Sequence, residues 1–321
     1  MKYHKILTVL WLFNQCIVCS QNFPDRVNII DPLNGICNDS SGTSWLNTTK
    51  LYAEFSRHFN ADKNHLWNAK TGGYVELFRY DSSWSVTADG VMEVVMDSYN
   101  EIAFNPRAIF WEEGLHFNKS ISEKIVLQFG YTHRCKHDVD NLEAKLERGL
   151  IQERTLVFSG IMSRIFLRPK AYFKIGNFDL IYGLSIRNDF FIQAGDTRST
   201  DDTNSFSKGL PIGALIDAIN VYSKFELMPK KSNYSLHFTI NYMASLYGKE
   251  QGLANRIKSF NKVIQSIPIS EIGFNLFNDK GAKFTTFLRS EFQHDAGILP
   301  EPTSSRLFLI GFRLSDQITM W

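Results

Sequence analysis

Three side chains able to do chemistry stand at alternate positions in the run 125–141, IVLQFGYTHRCKHDVDN: His133, Cys135 and His137. An imidazole beside a thiol supplies a proton acceptor and a nucleophile, the two parts of a covalent acyl transfer. With Asp138 or Asp140 the same three offer nitrogen, sulfur and oxygen donors of the kind zinc takes. Asp138, Asp140, Asn141 and Glu143 carry oxygen donors that calcium accepts, although an acidic stretch of this kind is usually only solvated. Spacing separates these chemistries. Alternate side chains on an extended strand share one face. A base and a nucleophile two places apart therefore meet, whereas the full set is spread too widely to close on one tetrahedral ion without a bend. The expected cofactor is none.

The element that must position these groups is a strand. Ile125, Leu127, Phe129 and Tyr131 precede them on the same face, and Val126, Gln128, Gly130, Thr132, Arg134 and Lys136 line the other. A greasy face that ends in polar groups, backed by a polar or small face, fits a strand between lipid and a polar interior, with the reactive groups at the water boundary. The same alternation recurs from Thr49 onward, as in Leu236, Phe238, Ile240, Tyr242 and Leu246, and in Ile272, Phe274 and Leu276. Such segments lie near 49–59, 73–80, 84–97, 106–117, 124–138, 154–168, 171–187, 214–228, 233–247, 266–278, 282–293 and 305–315, about twelve in all. Connections after even segments are short, among them Asp81–Ser83, Pro169–Lys170 and Asp279–Gly281; those after odd segments are mostly longer and more polar, as at 139–153 and 188–213. Outer-membrane barrels combine short periplasmic turns, long external loops and an even strand number, whereas a soluble sandwich has no reason to alternate its loops so regularly. The expected fold is all-β: a closed antiparallel transmembrane barrel of about twelve strands in a bacterial outer membrane, both termini periplasmic. Closure leaves no unpaired edge in lipid. Glu54, Glu76, Arg134, Lys136, Lys224, Glu226, Arg289 and Glu291 fall on the inner face, which predicts a narrow lumen filled by side chains rather than an open pore.

The 321 residues, 44% of them hydrophobic, suffice for one large domain or two small ones. Lysine plus arginine number 35 against 33 acids, so charge gives no reason to expect a nucleic-acid partner. Residues 1–20 resemble a secretory signal peptide: Lys2 and Lys5, the apolar run Ile6–Phe13, then Val18-Cys19-Ser20 before Gln21. Residues 21–44 read as an N-terminal periplasmic extension and 45–321 as the barrel. Cys37 then starts in the periplasm and Cys135 stands at the opposite rim, roughly 25 Å away, so no disulfide is expected between them.

At that rim the chain resembles the lipid hydrolases of the outer membrane, the outer-membrane phospholipase and lipid A deacylase families. These carry a His-x-Ser pair on one outward strand face, with an Asn or Glu further on; here the pair is His133-Arg134-Cys135. The resemblance implies His133 as general base, Cys135 as nucleophile, and an orienting group among Asp138, Asp140, Asn141, Glu147 and Glu153. Glu147 follows Cys135 at a spacing similar to the family's. Glu113, on the preceding strand, would orient His133 if the register brings the two together. Cysteine stands where the family has serine, and Lys136-His137-Asp138 replaces its usual continuation. The run 133–140 is also similar to uncharacterised barrels with a His-x-Ser-x-His-x-x-Asp strand end, from which no activity follows. The terminal Trp321, after Phe308, Ile310 and Phe312, resembles the assembly signal of bacterial outer-membrane proteins and implies the barrel assembly machinery as a partner. The other expected partners are outer-membrane lipids or lipopolysaccharide. Two functions are open: a barrel without enzymatic activity, serving transport, adhesion or structure, and an outer-leaflet lipid acyl hydrolase. In the first, His133 and His137 are plain interface residues and Cys135 a small apolar filler.

Overall fold

Alternating side chains favour strands, and a strand in lipid is stable only when each backbone amide finds a partner on a neighbouring strand. The structure, a computed structural model, describes residues 42–46, 48–59, 66–81, 83–98, 103–122, 124–138, 155–196, 214–230, 232–249, 253–258, 260–265, 268–278, 282–293 and 305–319. Its strands are β1 (Thr43–Trp45), β2 (Thr48–His58), β3 (Trp67–Tyr80), β4 (Trp84–Asp97), β5 (Asn105–Ser120), β6 (Ile125–Asp138), β7 (Thr155–Ile175), β8 (Phe178–Asp196), β9 (Leu215–Pro229), β10 (Tyr234–Gly248), β11 (Phe260–Gln265), β12 (Ile269–Phe277), β13 (Lys283–Gln293) and β14 (Ser305–Thr319). Neighbours run in the order β3-β2-β14-β13-β12-β10-β9-β8-β7-β6-β5-β4, and β4 pairs back onto β3, which closes the wall at twelve strands. All pairings are antiparallel. Two short pieces extend the wall: β1 prolongs the line of β2 along β3, and β11 prolongs that of β12 along β10. A short helix, α1 (Leu253–Lys258), precedes β11.

Several boundaries differ from the sequence reading; β8 runs on to Asp196, into the interval 188–213 expected as a loop. Strand β3 starts at Trp67, and Gly72 and Gly73 lie within it, opposite Tyr52 and Leu51. A Cβ at Gly73 would lie 2.1 Å from the Lys50 carbonyl oxygen, so the glycine serves close strand approach rather than a turn. The β7–β8 hairpin turns at Gly176-Asn177, not at Pro169-Lys170. Gly176 has the positive φ, 58°, that a tight hairpin needs. The register shift between Leu167 and Lys170 absorbs the proline within the strand.

The two faces sort as the alternation requires. Leu127, Phe129, Tyr131, Leu236, Phe238, Ile240, Ile272, Phe274, Leu276, Phe308, Ile310 and Phe312 are exposed on the outside. All eight residues assigned to the inner face are buried. The chain is therefore a transmembrane β-barrel of the bacterial outer membrane; among the described residues no helix is long and apolar enough to cross a membrane.

Side chains fill the interior. Glu54 accepts from Arg289 Nη1 at 2.7 Å and Arg313 Nε at 2.8 Å. Glu271 accepts from Arg289 Nε at 2.8 Å and Arg313 Nη2 at 3.0 Å, and it lies 2.9 Å from His237 Nε2. Phe287 underlies both guanidinium groups. A second group joins Glu112 and Asp189 to Arg134 and Arg187. Beside it, Leu156, Phe158, Phe191, Leu215, Ala218, Met243, Tyr247 and Ile269 form an apolar cluster.

Candidate functional site at the external rim

The long intervals follow β6 and β8, and the short turns lie at the other end, so Asp138 marks the external end of β6. Register then defines horizontal rows on the lipid-facing surface. Glu113 on β5 pairs with His133 on β6, His133 with Ser159 on β7, and Ser159 with Gln193 on β8. The next row toward the periplasm is Leu115, Tyr131 and Ile161, all exposed to the surroundings of the barrel. The next row outward is Trp111, Cys135 and Val157, followed by Ile109, His137 and Thr155. A polar row thus sits directly on the upper edge of the apolar belt.

Within the row His133 Nδ1 lies 2.8 Å from Ser159 Oγ. The imidazole is half-buried, and Ser159 is only 4% exposed. Glu113 is exposed, and its Oε2 accepts a hydrogen bond from Trp111 Nε1 at 3.1 Å. One row higher, His137 Nδ1 is 3.4 Å from Thr155 Oγ1. Cys135 is a free, buried thiol, and among the described residues it hydrogen-bonds to none, His133 included.

The backbone holds this row in place. On the inner face Glu112 and Arg134 are register partners, joined by Arg134 Nε to Glu112 Oε2 at 2.8 Å. Arg187 Nη1 reaches the other oxygen of Glu112 at 3.0 Å and ties β8 to the same point. These bonds fix the β5–β6 register one residue away from Glu113 and His133. On the far side, Ser159 pairs with Gln193 but Gly160 pairs with Phe191, leaving Ile192 as the extra residue of a bulge. Bulges re-aim neighbouring side chains and bend a strand. Gly160 permits the approach, since a Cβ there would lie 2.0 Å from the Phe190 carbonyl oxygen.

His133, Cys135 and His137 share the outward face, as the alternation predicts. The sequence-nominated Cys135 does not bond the base; His133 is paired with a serine from the adjacent strand. Asp138 closes β6. Asp140, Asn141, Glu143, Glu147 and Glu153 lie outside the described residues, as do Cys37 and the signal-like segment. The register condition set for Glu113 is met. Ser159 was not singled out by the sequence, yet a signal existed: pairing the expected strand ends, 138 with 154, and counting back equally on both strands puts 133 opposite 159. Among the described residues no three His, Cys, Asp or Glu side chains gather as a metal site.

No family model matches the chain, and no curated protein matches it. Solved structures show barrel likenesses. LpxR from Salmonella typhimurium matches at 8% identity and a TM-score of 0.42, over 83% of this chain and 99% of that one. Outer membrane phospholipase A from Escherichia coli matches at 13% identity and a TM-score of 0.41, over 84% and 93%. The toluene transporter TodX from Pseudomonas putida matches at 8% and 0.30, over 86% and 90%. Likenesses of this size say nothing about activity or about individual residues.

Proposed function

We propose that this barrel hydrolyses acyl esters of outer-leaflet lipids at its external rim, with His133 as the general base. The observation that carries the reading is the 2.8 Å contact between His133 Nδ1 and the buried hydroxyl of Ser159 on the outward side of β7, one row above Leu115, Tyr131 and Ile161. Acyl chains lying along those apolar side chains bring their ester carbonyls to the height of the imidazole. Two side chains flank it that could attack, Cys135 on its own strand and Ser159 on the next. Glu113, the register partner of His133, is the acid in the wall that would orient the ring; Asp138 and Glu147 are the other acids the family resemblance implies, and His137 stands two rows above His133. Phospholipid or lipopolysaccharide is the partner on this face, and the barrel assembly machinery is the partner for the C-terminal aromatic. The paired charges that fill the lumen argue against transport through it.

Purified protein in mixed micelles should release fatty acid from phospholipid or lipopolysaccharide. His133→Ala should lower that release by about 10²–10⁴-fold, with the heat-modifiable gel mobility of the folded barrel kept. Wild-type protein that folds but releases no fatty acid would contradict the reading.

A further inference from the structure

We infer that Ser159, not Cys135, is the nucleophile, and that the working set is assembled across three strands: Glu113 from β5, His133 from β6 and Ser159 from β7. This rests on the hydrolase reading of the same rim. Four observations carry it. The Ser159 hydroxyl lies 2.8 Å from the His133 ring nitrogen, within range for proton transfer. The Cys135 thiol has no hydrogen-bond partner among the described residues, and its row neighbours Trp111 and Val157 are neither cation nor base. The β8 bulge and Gly160 adjoin Ser159, so the wall departs from regular geometry beside that residue. Glu113 is the register partner of His133 on the side away from Ser159, and residues directly opposite on paired strands hold their Cβ atoms about 4.5–5.5 Å apart. With Nδ1 turned to the serine, Nε2 is the nitrogen left for that carboxylate, which in this structure accepts from the Trp111 indole N–H rather than from the ring. Gln193 continues the row beyond Ser159 and carries an amide able to donate to a developing oxyanion.

In the reaction, Ser159 Oγ passes its proton to His133 Nδ1 and bonds to the ester carbonyl carbon. The carbon–alkoxy bond breaks, and the leaving alkoxide takes that proton from the imidazolium. Water then adds to the acyl-serine carbonyl and gives a proton to Nδ1. The bond to Oγ breaks, and Ser159 recovers the proton. The products are a lysolipid alcohol and a fatty acid. Ser159 and His133 are the catalytic residues, and Glu113 is a positioning residue.

The test uses full-length protein refolded in micelles, with hexadecanesulfonyl fluoride as the probe. Sulfonylation should map by mass spectrometry to the peptide holding Ser159 and should be absent in His133→Ala. Ser159→Ala should lose fatty-acid release by about a thousandfold or more, whereas Cys135→Ala should stay within about twofold of wild type. Ser159→Cys should become sensitive to iodoacetamide where wild type is not. Glu113→Gln should lower kcat with little change in KM, and Glu113→Asp should restore part of it. If Cys135→Ala is inactive and Ser159→Ala is fully active, the assignment is overturned while the rim remains a hydrolase. If wild type releases no fatty acid, the hydrolase reading fails. His133-dependent sulfonylation of Ser159 would then still support the pair, and its absence would overturn the pair as well. Should Ser159→Ala not fold, the position of the label on wild type decides.

Discussion

In the lumen Glu54 and Glu271 face Arg289 and Arg313, and Glu112 and Asp189 face Arg134 and Arg187. On the outer rim His133 faces a serine hydroxyl, and its row holds a single carboxylate and no lysine or arginine. Each inner group sets carboxylates directly against guanidinium groups where water is scarce. Such arrangements are demanding to bury and destabilising to break. They fasten strands. The rim row has the opposite character: a neutral hydroxyl meets an imidazole on the outward side of the wall. The density of polar residues is greater inside, but the proposed chemistry uses the rim, where an imidazole meets a hydroxyl.

That contrast can be broken in several places. The largest effect expected is on stability. Glu54→Ala leaves Arg289 and Arg313 short of a partner inside the barrel and should cost about 3–5 kcal/mol, read as a lower urea midpoint in lipid vesicles; an unchanged midpoint would mean that the inner quartet does not hold the wall. Phe129→Arg places a charge in the apolar belt below the site and should cost about 2–4 kcal/mol in the same titration. Gly130→Ala should cost about 1–3 kcal/mol through overpacking, because a Cβ there would lie 2.1 Å from the Leu115 carbonyl oxygen and 2.6 Å from His116 Nδ1. His137→Arg should be the mildest, about 0–1 kcal/mol, since it sits two rows above the His133 row at the water boundary. If His137→Arg were as costly as Phe129→Arg, the rim would lie deeper in the bilayer than the loops indicate.

Much of the barrel was legible in the sequence because a closed wall in lipid repeats one local rule. Ile125 to Tyr131 on one face and Gln128 to Lys136 on the other identify a strand without reference to any neighbour. Positions where the chain bends against that rule were harder. Gly72 and Gly73 looked like a strand boundary, but they allow close backbone approach inside β3. Pro169 looked like a turn because its cost is taken up by a register shift that no local pattern reveals. The candidate site was legible in half: His133 and its outward direction follow from alternation alone. Ser159 and Glu113 belong to it only through register, which depends on pairings between residues 20 and 26 places away from His133. Read along one strand, the nucleophile beside His133 is Cys135; Ser159 comes beside it only when β7 is paired to β6.

The central claim is that this barrel works at its outer rim and is held together by its interior. It is tested most directly by measuring fatty-acid release and urea midpoint together for wild type and His133→Ala. The account predicts a loss of release of about 10²–10⁴-fold with the midpoint nearly unmoved. A His133→Ala protein that releases fatty acid at the wild-type rate would contradict it.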